Sequence, residues 1–431
     1  MKKFLFLFFI LLPVFLFARE SDVYIGLSSK YNPSDLPKIG LAANALGDIY
    51  TEEKKIYSNL FADVLRADLY RSRYFNIEEA APAQISSLGT QLAGLEKKNV
   101  LYYVFFDFVE TDVQDQWQIK AFMYDTSSKK ALLAKSFVKV PSKSVRKSAH
   151  MFADQIIKLL TGKRGLSTTK IAFANDSTGR KEIYIVDYDG YNLAKLTNDK
   201  SISLLPRWAD KGTKIYYTTY RNRNPQIYMI DLKDGDTSPV MQEKGLNLIG
   251  GVSADSRKLV MTLSRGQNPS IYLKEISSGR TLQLTDKYGV DGSPSFSPDG
   301  KFVAFVSNRS GNPQIYIMNL ETKETRRLTR FNWTDTPQWS PNGDWIAFAG
   351  RQAAEHPIDI FLVDITGGQL RQLTADNGSN EDPWWSPDGR FIVFTTNRAG
   401  KRQIYVMDAD GSAQHLIANI KGNSFTPSWS D

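Results

Sequence analysis

Few side chains in this sequence are of a type and spacing that could do chemistry. There is no cysteine, which removes disulfides, thiolate metal sites, cysteine nucleophiles and lipid attachment at cysteine. The three histidines, His150, His356 and His415, fall in a predicted helix, an inter-strand loop and an outer strand of a different repeat. That scatter does not suit a histidine-ligated metal. Asp187, Asp189 and Gly190 resemble the start of a calcium loop, but the third acidic position and the closing glutamate are missing, and a hairpin turn accounts for the residues. Gly162-Lys163, Gly300-Lys301 and Gly400-Lys401 have neither the spacing nor the Ser/Thr of a phosphate-binding loop. No Gly-x-Ser-x-Gly elbow or sialidase-type Ser-x-Asp-x-Gly box occurs, and no nucleophile is paired with a base. The expectation is a binding protein: no enzyme, no cofactor and no metal.

The composition describes what must position such a binding surface. The chain has 431 residues, 42% hydrophobic and 23% charged, which fits a globular protein and not a disordered one. The net charge of +8 becomes +6 without Lys2 and Lys3, too mild to argue for nucleic acid. Those two lysines precede an apolar run, Phe4 to Phe17, and then Ala18-Arg19-Glu20. This predicts a secretory signal peptide over 1–18. Its apolar run would reach about 21 Å as a helix, short of the roughly 30 Å hydrocarbon core. The mature protein is therefore expected to be exported and not to span a membrane.

From Thr169 onward the chain repeats. Ile171-Ala-Phe173, Ile215-Tyr-Tyr217, Leu259-Val-Met261, Val303-Ala-Phe305, Ile346-Ala-Phe348 and Ile392-Val-Phe394 are spaced 44, 44, 44, 43 and 46 residues apart. An Ile-Tyr or Ile-Phe pair follows each about a dozen residues on, at Ile183, Ile227, Ile271, Ile315, Ile360 and Ile404. Ser297-Pro298-Asp299-Gly300, with relatives at Ser340 and Ser386, has the chemistry of a tight hairpin: proline presets φ and glycine accepts the left-handed turn position. Four short strands per period predict a six-bladed β-propeller. The third repeat departs, with Val252 at the aromatic position and Ala254-Asp255-Ser256 in place of Pro-Asp-Gly. The first repeat lacks its inner strand, whereas the chain ends on an unattached one, Pro427-Ser-Trp-Ser430. Pairing that strand beside Lys170 to Asn175 closes the ring and removes an exposed edge. Trp208, Phe296, Trp339, Trp385 and Trp429 share one repeat position and are expected to pack between blades, not to cage a ligand.

Before the repeat, residues 19–162 read as a separate α/β domain, with 163–168 as linker and 169–431 as propeller. Asp22 to Ser28 alternates as a strand, and Ile56, Leu60, Phe61, Val64, Leu65 and Leu69 recur at helical spacing. Three strands (Asn99 to Val109, Trp117 to Tyr124, Ala131 to Val140) precede a helix carrying Ala149, Phe152, Ala153, Ile156 and Leu159, with Gly162 as its C-cap. His150, alone on this helix, is expected to be structural or solvent-facing.

In a propeller the inter-blade loops and the loops between second and third strands share one face. Acidic residues in the former (Asp291, Asp335, Glu381 and Asp382) predict a negative channel mouth. Arg180, Arg221, Arg223, Arg265, Arg309, Arg351 and Arg398 make the latter basic. Opposite charges around a concave face suit recognition of another protein.

An exported chain with a small α/β domain and six blades built on Pro-x-Trp-Ser-Pro-Asp-Gly, Ile-Ala-Phe and Ile-Tyr-x-Met-Asp resembles the TolB family of the Tol-Pal system. Asp187-Tyr-Asp-Gly-Tyr-Asn192 and the Pro-Ser-Trp-Ser ending share that resemblance. It implies a non-enzymatic periplasmic scaffold supporting outer-membrane integrity and envelope constriction at cell division. The implied partners are the peptidoglycan-associated lipoprotein Pal, docked on the channel face, and TolA, bound by the mature N-terminal tail; other outer-membrane lipoproteins and bacteriocins are further partners it implies. The corresponding lipoprotein-facing loops here are Leu246 to Ile249 and Gly289 to Gly292, taking in Leu246, Asn247, Ile249, Asp291 and Gly292, with Asp335, Glu381 and Asp382 at the same mouth. The tail corresponds to Arg19, Glu20, Ser21, Asp22, Val23, Tyr24 and Ile25. Relatives often place a histidine where this chain has Leu246. A glycan lyase on a similar propeller would need channel histidines and a divalent metal, which this scattered histidine set does not offer.

Overall fold

A computed structural model describes residues 36–42, 51–82, 85–265, 267–286, 289–375 and 378–431. The signal segment, the tail and the strand expected at 22–28 lie outside the described residues. The N-terminal part comprises β1 (Lys38–Ala42), α1 (Glu52–Arg71), β2 (Asn76–Ala80), α2 (Leu88–Lys97), β3 (Tyr102–Glu110), β4 (Gln116–Asp125), β5 (Ala131–Pro141) and α3 (Val145–Thr161). Its sheet runs β2-β1-β3-β4-β5, parallel on either side of β1 and antiparallel from β3 to β5. The central strand β1 is short and buried on both faces, so it lacks the alternation that betrays a strand in sequence.

Helices α1 and α3 cover one face, burying Phe61, Leu65, Phe152 and Ile156 against Phe106, Phe108 and Ile119. Helix α2 covers the other through Leu92 and Leu95 against Tyr103 and Phe105. The Thr51 hydroxyl caps α1 by accepting from the Lys54 N–H at 3.2 Å, and Gly162 ends α3 at φ 69°. Ile56 and Leu159, which the helical spacing assigns to the core, are 59% and 49% exposed. The buried stripe on each helix is narrower than its apolar pattern.

The remainder forms six four-stranded antiparallel sheets, here blades 1 to 6. Blade 1 is assembled from both ends of the propeller sequence. Ser424–Trp429 is its inner strand and pairs with Lys170–Asn175, Ser424 opposite Asn175 and Trp429 opposite Ile171. Side chains lock this seam. Trp429 Nε1 donates to Thr169 Oγ1 at 2.8 Å, Lys170 N–H donates to Ser430 Oγ at 2.9 Å, and Asp176 accepts from the Asn423 backbone at 2.6 Å. The indole of Trp429 packs in one cluster with Ile171, Phe173 and Phe391.

The hairpins follow their residue types. In blade 4 the Ser297 hydroxyl donates to Asp299 at 2.6 Å while accepting from the Phe302 N–H at 2.9 Å, and Gly300 turns the chain at φ 69°. Blade 3 forms the same hairpin without glycine, because Ser256 takes the left-handed position at φ 56°. Four of the five repeated aromatics are buried as expected, Trp208, Phe296, Trp385 and Trp429 being each at most 9% exposed, whereas Trp339 is only partly buried and lines a surface cavity with Phe302. Trp208 and Trp385 also donate to the preceding blade's inner strand, at Ser428 O (3.1 Å) and Gln338 O (3.0 Å).

The N-terminal part docks on blades 1 and 6, against the seam. The buried Asp68 of α1 accepts from the Tyr188 hydroxyl and lies 2.6 Å from His150 Nδ1 of α3. His150 Nε2 is 3.6 Å from Asp189, which also pairs with Arg146. On blade 6, Arg390 donates to the Ser72 carbonyl and stacks 3.8 Å from the Tyr74 ring centroid. His150 is thus neither solvent-facing nor without partners. Two helices and the Asp187–Asn192 turn converge on it, which no single stretch of sequence reveals. Burial pushes the carboxyl of Asp68 up, and the hydrogen bond and charge of His150 oppose the rise.

The seam yields a direct prediction. Trp429→Ala should destabilise the protein by about 3–5 kcal/mol, and ending the chain at residue 423 should abolish a single cooperative unfolding transition. Denaturant unfolding followed by tryptophan fluorescence reads both. A truncated chain with an unchanged midpoint would show that the terminal strand does not hold the ring.

Candidate docking face

Each inner strand enters the channel from an inter-blade turn with a polar residue at its start: Ser203, Asn247, Asp291, Thr334, Asn380 and Ser424, all at most 2% exposed. They satisfy the turn's backbone and neighbouring side chains. Asn247 Nδ2 donates to the carbonyls of Pro225 (3.0 Å), Glu243 (2.8 Å) and Gly245 (3.1 Å). Asp291 accepts from Arg309 at 3.1 and 3.2 Å. The side chains of Asn247, Asp291 and the 2%-exposed Ile249 are therefore interior, not on the surface that the sequence suggested. Charge reversal at Asp291 would strand a guanidinium and damage the fold.

Two residues further on, the inner strands bulge. The register shifts in the innermost pair of all six blades. In five of them the residue before a proline has positive φ: Leu205 (56°), Ser293 (50°), Thr336 (50°), Asp382 (54°) and Thr426 (48°). This conformation is strained for any side chain, and most for a β-branched threonine. Blade 3 has Gly250 in place of proline, where an added Cβ would sit 2.5 Å from Pro294. The bulge bends each strand and re-aims the residues beside it, a device found next to binding and active sites.

Leu246, Ile249, Asp291 and Gly292 meet in one cavity of about 210 Å³ between the inner strands of blades 2 to 5, together with Leu205, Leu248, Val290, Arg207 and Thr336. Asp335, Glu381 and Asp382 lie on the inner strands of blades 5 and 6, Asp335 beside that cavity. Asp335 accepts from the Ser293 hydroxyl at 2.6 Å and the Thr336 N–H at 2.7 Å, yet burial still raises its carboxyl. Burial, then the neighbouring Glu381 carboxylate, push Asp382 up to about 6. Glu381 itself is paired with Arg402 at 3.0 Å.

The basic loops do not stand apart from the acidic ones. Arg309 pairs with Asp291, Arg221 with Asp199 at 2.5 Å, and Arg265 with Glu243 at 3.1 Å. Arg221, Arg265, Arg309 and Arg398 also lie over the strand-three tyrosines Tyr228, Tyr272, Tyr316 and Tyr405, 4.2–5.1 Å from the centroids. Much of the expected charge contrast is thus neutralised inside the frame. Sequence reasoning missed Arg207 and Leu205. Aligning the repeats exposes the first: the residue before the shared aromatic is Arg207, Gly251, Ser295, Gln338, Trp384 or Ser428, and only one is charged.

The raised Asp382 carboxyl has a pH signature. The folded protein holds a proton there between about pH 4 and 6 that the unfolded chain has released, so stability falls as pH rises through that window. Asp382→Asn should remove up to about 3 kcal/mol of that loss and raise the unfolding midpoint at pH 8 but not at pH 4. Denaturant titrations at both pH values test this, and identical slopes for both proteins would locate the titration elsewhere.

Comparison with known proteins agrees with this architecture. The family described as TolB beta propeller domain matches residues 157–431. The Tol-Pal system protein TolB of Desulfosudis oleivorans is 33% identical over 221 residues, covering 49% of this chain and 48% of that relative. The protein TolB homolog of Chlorobaculum tepidum is 43% identical over 98 residues, 23% of this chain and 22% of that protein. The chain thus matches about half the length of the first of these relatives and less of the second. The crystal structure of TolB from Acinetobacter baumannii superposes with a TM-score of 0.76 at 26% identity, covering 92% of this chain and 96% of that one. With six blades, a seam made by its terminal strand and a family match over most of its length, this chain belongs to the TolB beta-propeller family.

Proposed function

We propose that this protein is a periplasmic scaffold of the Tol-Pal system. Its channel face docks the peptidoglycan-associated lipoprotein Pal, and its mature N-terminal tail, Arg19 to Ile25, binds TolA. Through these contacts it supports outer-membrane integrity and envelope constriction during division, and bacteriocins use the same face. The observation that carries this reading is the cup at the channel mouth, where six bulged inner strands bring Leu246, Gly292 and an apolar cavity together with Asp335, Glu381 and Asp382. Such a preformed concave surface binds a folded partner with little reorganisation.

A scaffold also fits the way polar groups are used at the mouth. Asp291, Asp335 and Glu381 are each bonded to an arginine, a serine or a backbone N–H. Among the described residues no helix is long and apolar enough to cross a membrane. Of the relatives named above, the one from Desulfosudis oleivorans carries the Tol-Pal designation.

Purified lipoprotein and TolA provide the test. The mature protein should bind both by calorimetry without added metal. Leu246→Asp should weaken lipoprotein binding at least about tenfold with an unchanged thermal midpoint, since one buried charge in an apolar contact costs about 1.4 kcal/mol or more. Deleting residues 19–25 should remove TolA binding and leave lipoprotein docking intact. Failure of the wild-type protein to bind the lipoprotein would refute the docking reading.

A further inference from the structure

The arginine lining the apolar cavity has no ion-pair partner among the described residues. Arg207 is 7% exposed. Its Nε donates to the Gly250 carbonyl at 2.7 Å and its Nη1 to the Pro206 carbonyl at 2.9 Å. Among the described residues it forms no ion pair, which leaves three of the five guanidinium N–H groups without a protein acceptor. Asp382 acts on it only as a more distant charge. One further contact steadies the plane of the group: it lies 4.6 Å from the Trp384 ring centroid. Blade 2 thus reaches past blade 1 to blade 6, and the guanidinium is held in place before anything binds.

A charge without an ion pair at this depth is unfavourable, and stacking on an indole with a more distant carboxylate offsets the cost only in part. Burial lowers the pKa of Arg207 to about 10, so the group still carries its charge at neutral pH. The cavity above it is walled by Leu205, Leu246, Leu248 and Ile249 and opens on the channel mouth. A site with apolar walls and a fixed, unpaired guanidinium in its lining has one chemical complement. That complement is a carboxylate carried on an apolar stem, and a planar guanidinium can bind it through two parallel N–H bonds.

We propose that Arg207 receives a carboxylate from the protein that docks on the channel face, a glutamate or aspartate side chain or a terminal carboxylate inserted between the inner strands of blades 2 to 5. The inference rests on the docking reading above and specifies its chemistry. Leu246 would then wall the stem of the inserted group. The acidic residues on blades 5 and 6 would meet a cation of the same partner and so set its orientation.

A double-mutant cycle tests this with the full mature chain and the purified lipoprotein. Arg207→Met keeps the length of the side chain and removes its charge. Its thermal midpoint should rise or hold, because a buried charge without an ion pair is gone, while lipoprotein affinity falls about 10–100-fold. Arg207→Lys keeps the charge, loses the fork and should fall between. One amide substitution among the lipoprotein's acidic residues should weaken binding to wild type by the same factor and cause no further loss with Arg207→Met. If Arg207→Met binds as tightly as wild type, the inference is overturned and the docking reading survives. If wild type itself does not bind, both fall. A midpoint raised by sodium hexanoate in wild type alone, with lipoprotein affinity insensitive to Arg207, would mark a small-anion site and also overturn the proposal.

Discussion

Closure of the ring by the terminal strand is the constraint on which the rest of this structure depends. Six sheets arranged radially bury their faces against one another only if the sixth meets the first, and here that meeting is one strand pair, Ser424–Trp429 with Lys170–Asn175. The paired residues are far apart in sequence, so the entropy of closing the loop is met by local interactions at the seam. These are the buried Trp429, its bond to Thr169 and the Asn423–Asp176 contact. The N-terminal part adds to them. Trp429 and Phe391 line the crevice that it covers, and Arg390 ties blade 6 to the end of α1. The small domain therefore braces the weakest joint of the wheel.

A closed ring leaves its inner strands little freedom, and that rigidity lets strained backbone persist at the mouth. Positive φ at Thr336 and Thr426 would not hold in an isolated hairpin. It holds here although proline follows each, because a neighbouring blade packs against it and side chains such as Asp335 and Asp382 accept the nearby N–H groups. Polar residues at the strand starts and arginines on the adjoining loops are matched in the same way. The outcome is a cup whose frame is largely satisfied internally, with Arg207 as a buried charge that has no ion pair among the described residues. Internal compensation makes the face stiff, and the remaining imbalance makes it selective.

The limits of sequence reasoning fall at particular residues. His150 reads as solitary because Asp68, Tyr188 and Asp189 lie on a helix and a turn that meet it only after both parts have folded. Asp291 and Arg309 read as opposing surface charges, although they form one ion pair with the carboxylate fully buried. The strand β1 escapes notice because a central parallel strand has no polar face. Ile56 and Leu159 mislead in the other direction, since helical spacing marks an apolar stripe without saying how wide a stripe the neighbouring sheet covers.

From its residues alone this protein has its blade number, its hairpins and its seam. Each of those is written within a dozen neighbouring residues and then repeated, so local turn chemistry and a strand period of two suffice to read them. Which rim side chains face a partner was decided by tertiary structure. The bulges, the buried strand starts and the encounter of Arg207 with Trp384 exist only when blades 1, 2 and 6 stand side by side. Exposure and charge balance are properties of that assembled surface, and they reverse the apparent roles of Asn247 and Asp291 while singling out Arg207.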